Sequence, residues 1–98
     1  MLDYDWRMIR TFRHKELSTL WNTGKSRIDG RFHRRLFVRL QVLNEATEIA
    51  HLDMPGYDFH ALKGFKPTRY TIHVNGPWCI TFEFDKSDAN CVDFEQYH

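Results

Sequence analysis

Apolar residues recur along this chain at two periods, helical in the first half and alternating in the second. After His14-Lys15-Glu16, the residues Leu17, Leu20 and Trp21 fall at i, i+3 and i+4 and mark one face of a helix. Gly24 is a natural stop for it. Asp29 can cap a second helix, in which Phe32, Leu36, Leu40 and Leu43 line one face while Arg31, Arg34, Arg35 and Arg39 fall largely away from it. Pro55-Gly56 breaks the chain, and beyond it the period drops to two. Tyr57 to Lys63, Arg69 to Val74 and Trp78 to Phe84 read as strands, with Tyr70, Ile72 and Val74 on a common face. Asn75-Gly76-Pro77 reads as a tight connection, and Lys86-Ser87-Asp88 as the turn into a last strand. Arg7 to Arg13 alternates enough to open as a strand. The expected architecture is α+β, an N-terminal strand and two helices on one face of a mostly antiparallel sheet of about four to five strands.

Composition narrows the class. Ninety-eight residues fit one core, and 42% apolar residues exclude a disordered composition. The formal charge of +1 hides an asymmetry: Arg7 to Arg39 holds ten Lys and Arg against Glu16 and Asp29. That local excess of eight can attract a polyanion where the whole chain cannot, although a solvated charged face is the plainer reading of charge alone. No apolar run approaches the ~20 residues of a membrane span, and the N-terminus lacks a signal-peptide core, so cytoplasmic residence without a membrane is expected. Cys79 and Cys91 lie on what read as different strands, and the six histidines are scattered, without CxxC or HxxxH pairing. A disulfide framework and a metal site are therefore not expected, and neither is a cofactor.

Four motifs stand in a specific order: Met8-Ile9-Arg10-Thr11-Phe12-Arg13-His14-Lys15, Leu62-Lys63-Gly64, Trp78 with Ile80-Thr81-Phe82-Glu83-Phe84, and the closing Tyr97-His98. Their order and spacing resemble the HigB branch of the RelE superfamily of toxin-antitoxin ribonucleases, also called plasmid-maintenance killer proteins. The resemblance spans about nine-tenths of the chain. It implies a RelE-like fold, an N-terminal extension over residues 1–7 and a toxin domain over residues 8–98. The implied activity is ribosome-dependent cleavage of messenger RNA. The implied partners are a helix-turn-helix antitoxin (HigA-like), the ribosome and mRNA, and operator DNA indirectly through the antitoxin.

Metal-free RNA cleavage uses the neighbouring 2'-hydroxyl as nucleophile, so the protein must place a base, an acid and cations around the phosphate. His98 is a candidate because imidazole titrates near neutrality, and it carries the terminal carboxylate, which favours the imidazolium where it lies close. His60 and Lys63 stand three apart, so a regular strand sends them to opposite faces unless it ends or bulges near Gly64. The resemblance assigns His60 to proton transfer and Lys63 to the phosphate. Tyr97 is suited to stack on a base or hydrogen-bond near the phosphate, and Tyr70 offers a second flat surface, with core packing the alternative for both. Lys66 and Arg69 are candidates to hold RNA backbone, and Arg31, Arg34, Arg35 and Arg39 to meet ribosomal RNA.

Two positions depart from the resemblance. Cys79 stands where relatives usually carry Arg, and a thiol supplies no guanidinium fork. Gln96 replaces the Asp common before Tyr-His. Both departures point to an attenuated toxin, with Arg69 as a partial substitute, or to an inactive homologue that works as a binding module for its antitoxin.

Overall fold

The structure, a computed structural model, describes residues 9–97. Helix α1 spans Lys15–Thr23. It opens where His14 Nδ1 accepts the Leu17 N–H at 3.1 Å and satisfies one amide of the first turn. It closes at Gly24, whose φ of +83° suits glycine and whose N–H donates to the Leu20 carbonyl at 2.8 Å. Asp29 does cap the next element, accepting from the Arg31 N–H at 2.9 Å and from Arg31 Nε at 3.1 Å. The Arg31 hydrogen bond holds the Asp29 carboxyl below the usual carboxylate range. The capped element is one 3-10 turn, Gly30–Phe32, which runs on into helix α2, His33–Glu45. Leu36, Leu40 and Leu43 of α2 are fully buried, as their spacing requires.

Among the described residues four strands follow: β1 His60–Leu62, β2 Arg69–Asn75, β3 Trp78–Asp85 and β4 Asp88–Gln96. They form one sheet in chain order with every pair antiparallel. The expected first strand is cut to three residues, since Asp58 takes φ +46° before it and Lys63 and Gly64 turn after it. Of the expected opening strand, Arg7 and Met8 lie outside the described residues, as does the expected extension over 1–7. Ile9 and Phe12 make isolated parallel bridges to Ala89 and Val92 on the free side of β4. A further 3-10 turn, Ile49–Leu52, has no counterpart in the sequence pattern and seats Leu52 in the core. Both helices pack on the face that carries Ile72, Val74, Ile80, Phe82, Val92 and Phe94. Among the described residues no helix is long and apolar enough to cross a membrane.

The arginines of α2 correct one expectation. Arg35 and Arg39 do not project freely from the helix: Arg35 Nη1 donates to the Val74 carbonyl at 3.1 Å and Arg39 Nε to the His73 carbonyl at 2.7 Å. The β2–β3 register shifts between His73 and Asn75, and the two guanidiniums bring donors to carbonyls at the interruption. Arg39 also lies 4.6 Å over the Tyr57 ring, and burial lowers its pKa. Arg39→Met keeps the apolar stem and removes the donor, so it should lower unfolding stability by about 1–3 kcal/mol. Exposed Arg34→Met should change it by less than about 0.5 kcal/mol. Urea denaturation compares them, and equal midpoints would show that Arg39 is no brace.

Candidate functional site

Alternation along β2 turns Tyr70, Ile72 and Val74 to the helices and leaves Arg69, Thr71 and His73 on the opposite face. The ladder then sets their neighbours. His60 lies across from Thr71, Thr71 across from Thr81, His73 across from Cys79, and Cys79 across from Glu95. At the sheet edge β1 ends at Leu62, and Lys63 and Gly64 form a turn in which Gly64 takes φ +88°. The strand ends there, and His60 and Lys63 both line one groove of about 600 Å³ together with Thr71, His73, Cys79 and Tyr97. The condition read from the spacing of His60, Lys63 and Gly64 is met.

Hydrogen bonds fix how these groups present themselves. His60 Nδ1 lies 2.8 Å from the Asp58 carbonyl, which only accepts. In the neutral ring Nδ1 therefore carries the hydrogen and Nε2 is the basic nitrogen. His73 takes the opposite tautomer by the same reasoning, with Nε2 3.0 Å from the Gly76 carbonyl. Tyr97 is tied by its N–H to the Pro77 carbonyl at 2.8 Å, and its own carbonyl accepts from Cys79 Sγ at 3.6 Å. Cys79 is thus buried at the groove and holds the tail of β4.

The other candidates are placed elsewhere. His98 lies outside the described residues. Lys66 is exposed on the β1–β2 loop and does not line the groove. Tyr70 faces the helix side, stacked on Phe59 at 5.6 Å and tilted against Phe82 at 6.0 Å, and does not line the groove. Arg69 is 3% exposed, which leaves little of it for RNA backbone. Its Nη2 donates to Thr81 Oγ1 and the Cys91 carbonyl, both at 3.0 Å, and its Nη1 meets Glu83 Oε2 at 3.5 Å. Thr81 in turn hydrogen-bonds Glu95, so this cluster clamps β2, β3 and β4 together beside the groove. Arg31, Arg34, Arg35 and Arg39 belong to the helix layer, across the sheet from the groove.

Thr71 and His73 are groove residues that sequence reasoning passed over. The signal was present: once Tyr70, Ile72 and Val74 are read as the core face, the residues between them must share the other. Among the described residues, Thr71 Oγ1 is also the buried side-chain polar atom without a hydrogen-bond partner. A hydroxyl in that state costs about 1–3 kcal/mol of desolvation. Thr71→Val should therefore raise the unfolding free energy, by about 1 kcal/mol. Chemical denaturation measures this, and a destabilised variant would mean that the hydroxyl has a partner.

A family model described as the RelE-like toxin of the type II toxin-antitoxin system HigB matches residues 10–98. The chain is also similar to the Endoribonuclease HigB of Proteus vulgaris, 38% identical over 92 residues that cover 93% of this chain and 100% of the relative.

Proposed function

The chain belongs to the HigB-type family of RelE-like toxins, and from that membership we propose that it is a ribosome-dependent endoribonuclease that cuts messenger RNA by metal-free acid-base chemistry. The observation that supports this reading is the convergence of His60, Lys63 and Tyr97 on one groove. In the proposed reaction a base takes the proton of the 2'-hydroxyl, whose oxygen attacks the adjacent phosphorus. An acid then protonates the departing 5'-oxygen, leaving a 2',3'-cyclic phosphate and a free 5'-hydroxyl. His60, with Nε2 basic in its neutral ring, and His98 divide these two proton transfers. Lys63 neutralises the phosphate, and Tyr97, anchored at its backbone on both sides, orients it. A groove with few strong acid-base groups gains most from RNA held in place beforehand, and that is the ribosome's contribution. Exposed Arg31, Arg34, Arg35 and Lys66 serve the ribosomal and RNA backbone, and the hydrogen bonds of Arg39 and Arg69 favour a role for those two in holding the fold.

One observation favours a second reading. The groove position held by Cys79 carries a thiol where the family resemblance calls for a guanidinium, and loss of one such donor costs on the order of a hundredfold in rate. A chain so weakened serves chiefly as a binding module for a helix-turn-helix antitoxin and in control of the shared operon. The exposed Phe37 and Val38 beside Arg34 on α2 offer a mixed apolar and basic surface for that partner.

The readings separate by primer-extension mapping of mRNA in a reconstituted translation system. The nuclease reading expects ribosome-dependent cuts that fall at least about a hundredfold in His60→Ala and in His98→Ala, with both variants folded. Cuts absent from the present chain but strong in Cys79→Arg establish the binding module. Charge reversal of Arg31 and Arg34 together should weaken ribosome binding and flatten its salt dependence by about one to two phosphate contacts. Unchanged binding in a salt titration would remove those residues from the interface.

A further inference from the structure

The ladder neighbours of Cys79 are His73 on β2 and Glu95 on β4, and the next residue on its own face of β3 is Thr81. Of these three, only His73 can carry a positive charge. It lines the same groove as Cys79, His60, Lys63 and Tyr97. Its backbone is held on both sides, the N–H donating to the Tyr57 carbonyl at 2.6 Å and the carbonyl accepting from Arg39 Nε at 2.7 Å. Its Nε2 is engaged by the Gly76 carbonyl, so Nδ1 is the nitrogen left to meet a ligand. Two residues along the same face, the buried Thr71 hydroxyl has no protein partner. This independent feature suits a ligand with hydrogen-bonding oxygens over this part of the groove.

Resting on the nuclease reading above, we propose that His73 is a further catalytic residue. With a proton taken up from solvent at Nδ1, the ring donates from Nδ1–H to a non-bridging oxygen of the scissile phosphate. It supplies there the positive charge that Cys79 does not, while the Nε2–H keeps its bond to Gly76. No proton is consumed, because the ring acts as a charged donor and leaves the acid and base steps to His60 and His98. The held backbone and the Nε2–Gly76 bond keep the ring in place without reorganisation as charge grows on the phosphorane.

The test is single-turnover cleavage of ribosome-bound mRNA by the present chain, His73→Gln, His73→Lys, Cys79→Arg and the double variant His73→Gln/Cys79→Arg. Gln can still donate to Gly76, and thermal melting confirms that each variant is folded. His73→Gln should lose about a hundredfold in rate. His73→Lys, which keeps a cation, should retain most of the activity. With Arg at position 79, His73→Gln should cost less than about twofold, because the guanidinium makes the imidazolium redundant. A merely structural role for His73 gives no such rescue. The proposal is overturned if His73→Gln cleaves like the present chain, if His73→Lys is as slow as His73→Gln, or if the loss is equally large in the Cys79→Arg background. It is also overturned if the present chain is silent and Cys79→Arg alone awakens it, since His73 then fails to provide the charge. Silence of both the present chain and Cys79→Arg would instead refute the nuclease reading.

Discussion

The groove depends on one constraint, the register of β2 between β1 and β3. Side chains on a strand alternate, so a slip of one residue would drive Thr71 and His73 into the core and expose Ile72 and Val74. Ile72, Val74, Ile80 and Phe82 are fully buried, and each contributes about 1.5–3 kcal/mol by staying so. The pairing of His60, Thr71 and Thr81, and of His73 with Cys79, is therefore held by residues that never touch the groove. Packing on one face sets the chemistry of the other.

The same logic governs charge. A basic first half acts at a distance through side chains that reach water, and the fold draws Arg39 partly away from it onto the His73 carbonyl, as it draws Arg69 of the second half onto Thr81 and the Cys91 carbonyl. A guanidinium suits such places because its several donors satisfy acceptors in a fork, whereas unpaired burial of a charge is costly. Arg69 alone engages groups on β3 and β4. The attractive surface is consequently smaller than the residue count implies, and the remainder is carried by exposed groups such as Arg31 and Arg34.

Most of the fold was legible because it obeys local rules. Leu17 and Leu20, Leu36, Leu40 and Leu43, Gly24, and the turn at Lys86 and Ser87 sit where periodicity and turn chemistry place them. Part of the groove was legible for the same reason, since the parity of His60 and Lys63 demanded a break that Gly64 provides. The direction of the arginines was not. Whether Arg39 reaches water or bends to the His73 carbonyl depends on a register shift 34 positions away in sequence, which no helical period encodes. Tyr70 was ambiguous for a related reason: alternation puts it on the helix side of the sheet, where Phe59 stacks on its ring, and not on the side of the groove. Thr71 and His73 went unread because attention to the apolar members of an alternating strand hides the polar ones between them.

Position 79 shows how chemistry and scaffold come apart. Cys79 loses the charge that the family resemblance places there, yet its thiol still reaches the Tyr97 carbonyl, and Tyr97 remains tied to Pro77 by its own N–H. The tail of β4 is therefore anchored by contacts that need no guanidinium. A substitution at this site need not loosen the fold, and its effect falls on the charge available to a bound phosphate. Recovery of that charge is limited by geometry, since the ladder offers position 79 few neighbours and one of them, Glu95, has the wrong sign. Its carboxylate is engaged by Thr81, which itself accepts from Arg69. That clamp ties down the negative charge beside the groove without drawing on His60, Lys63 or His73. On the groove side of Cys79 there remains a histidine whose ring and backbone are both already oriented.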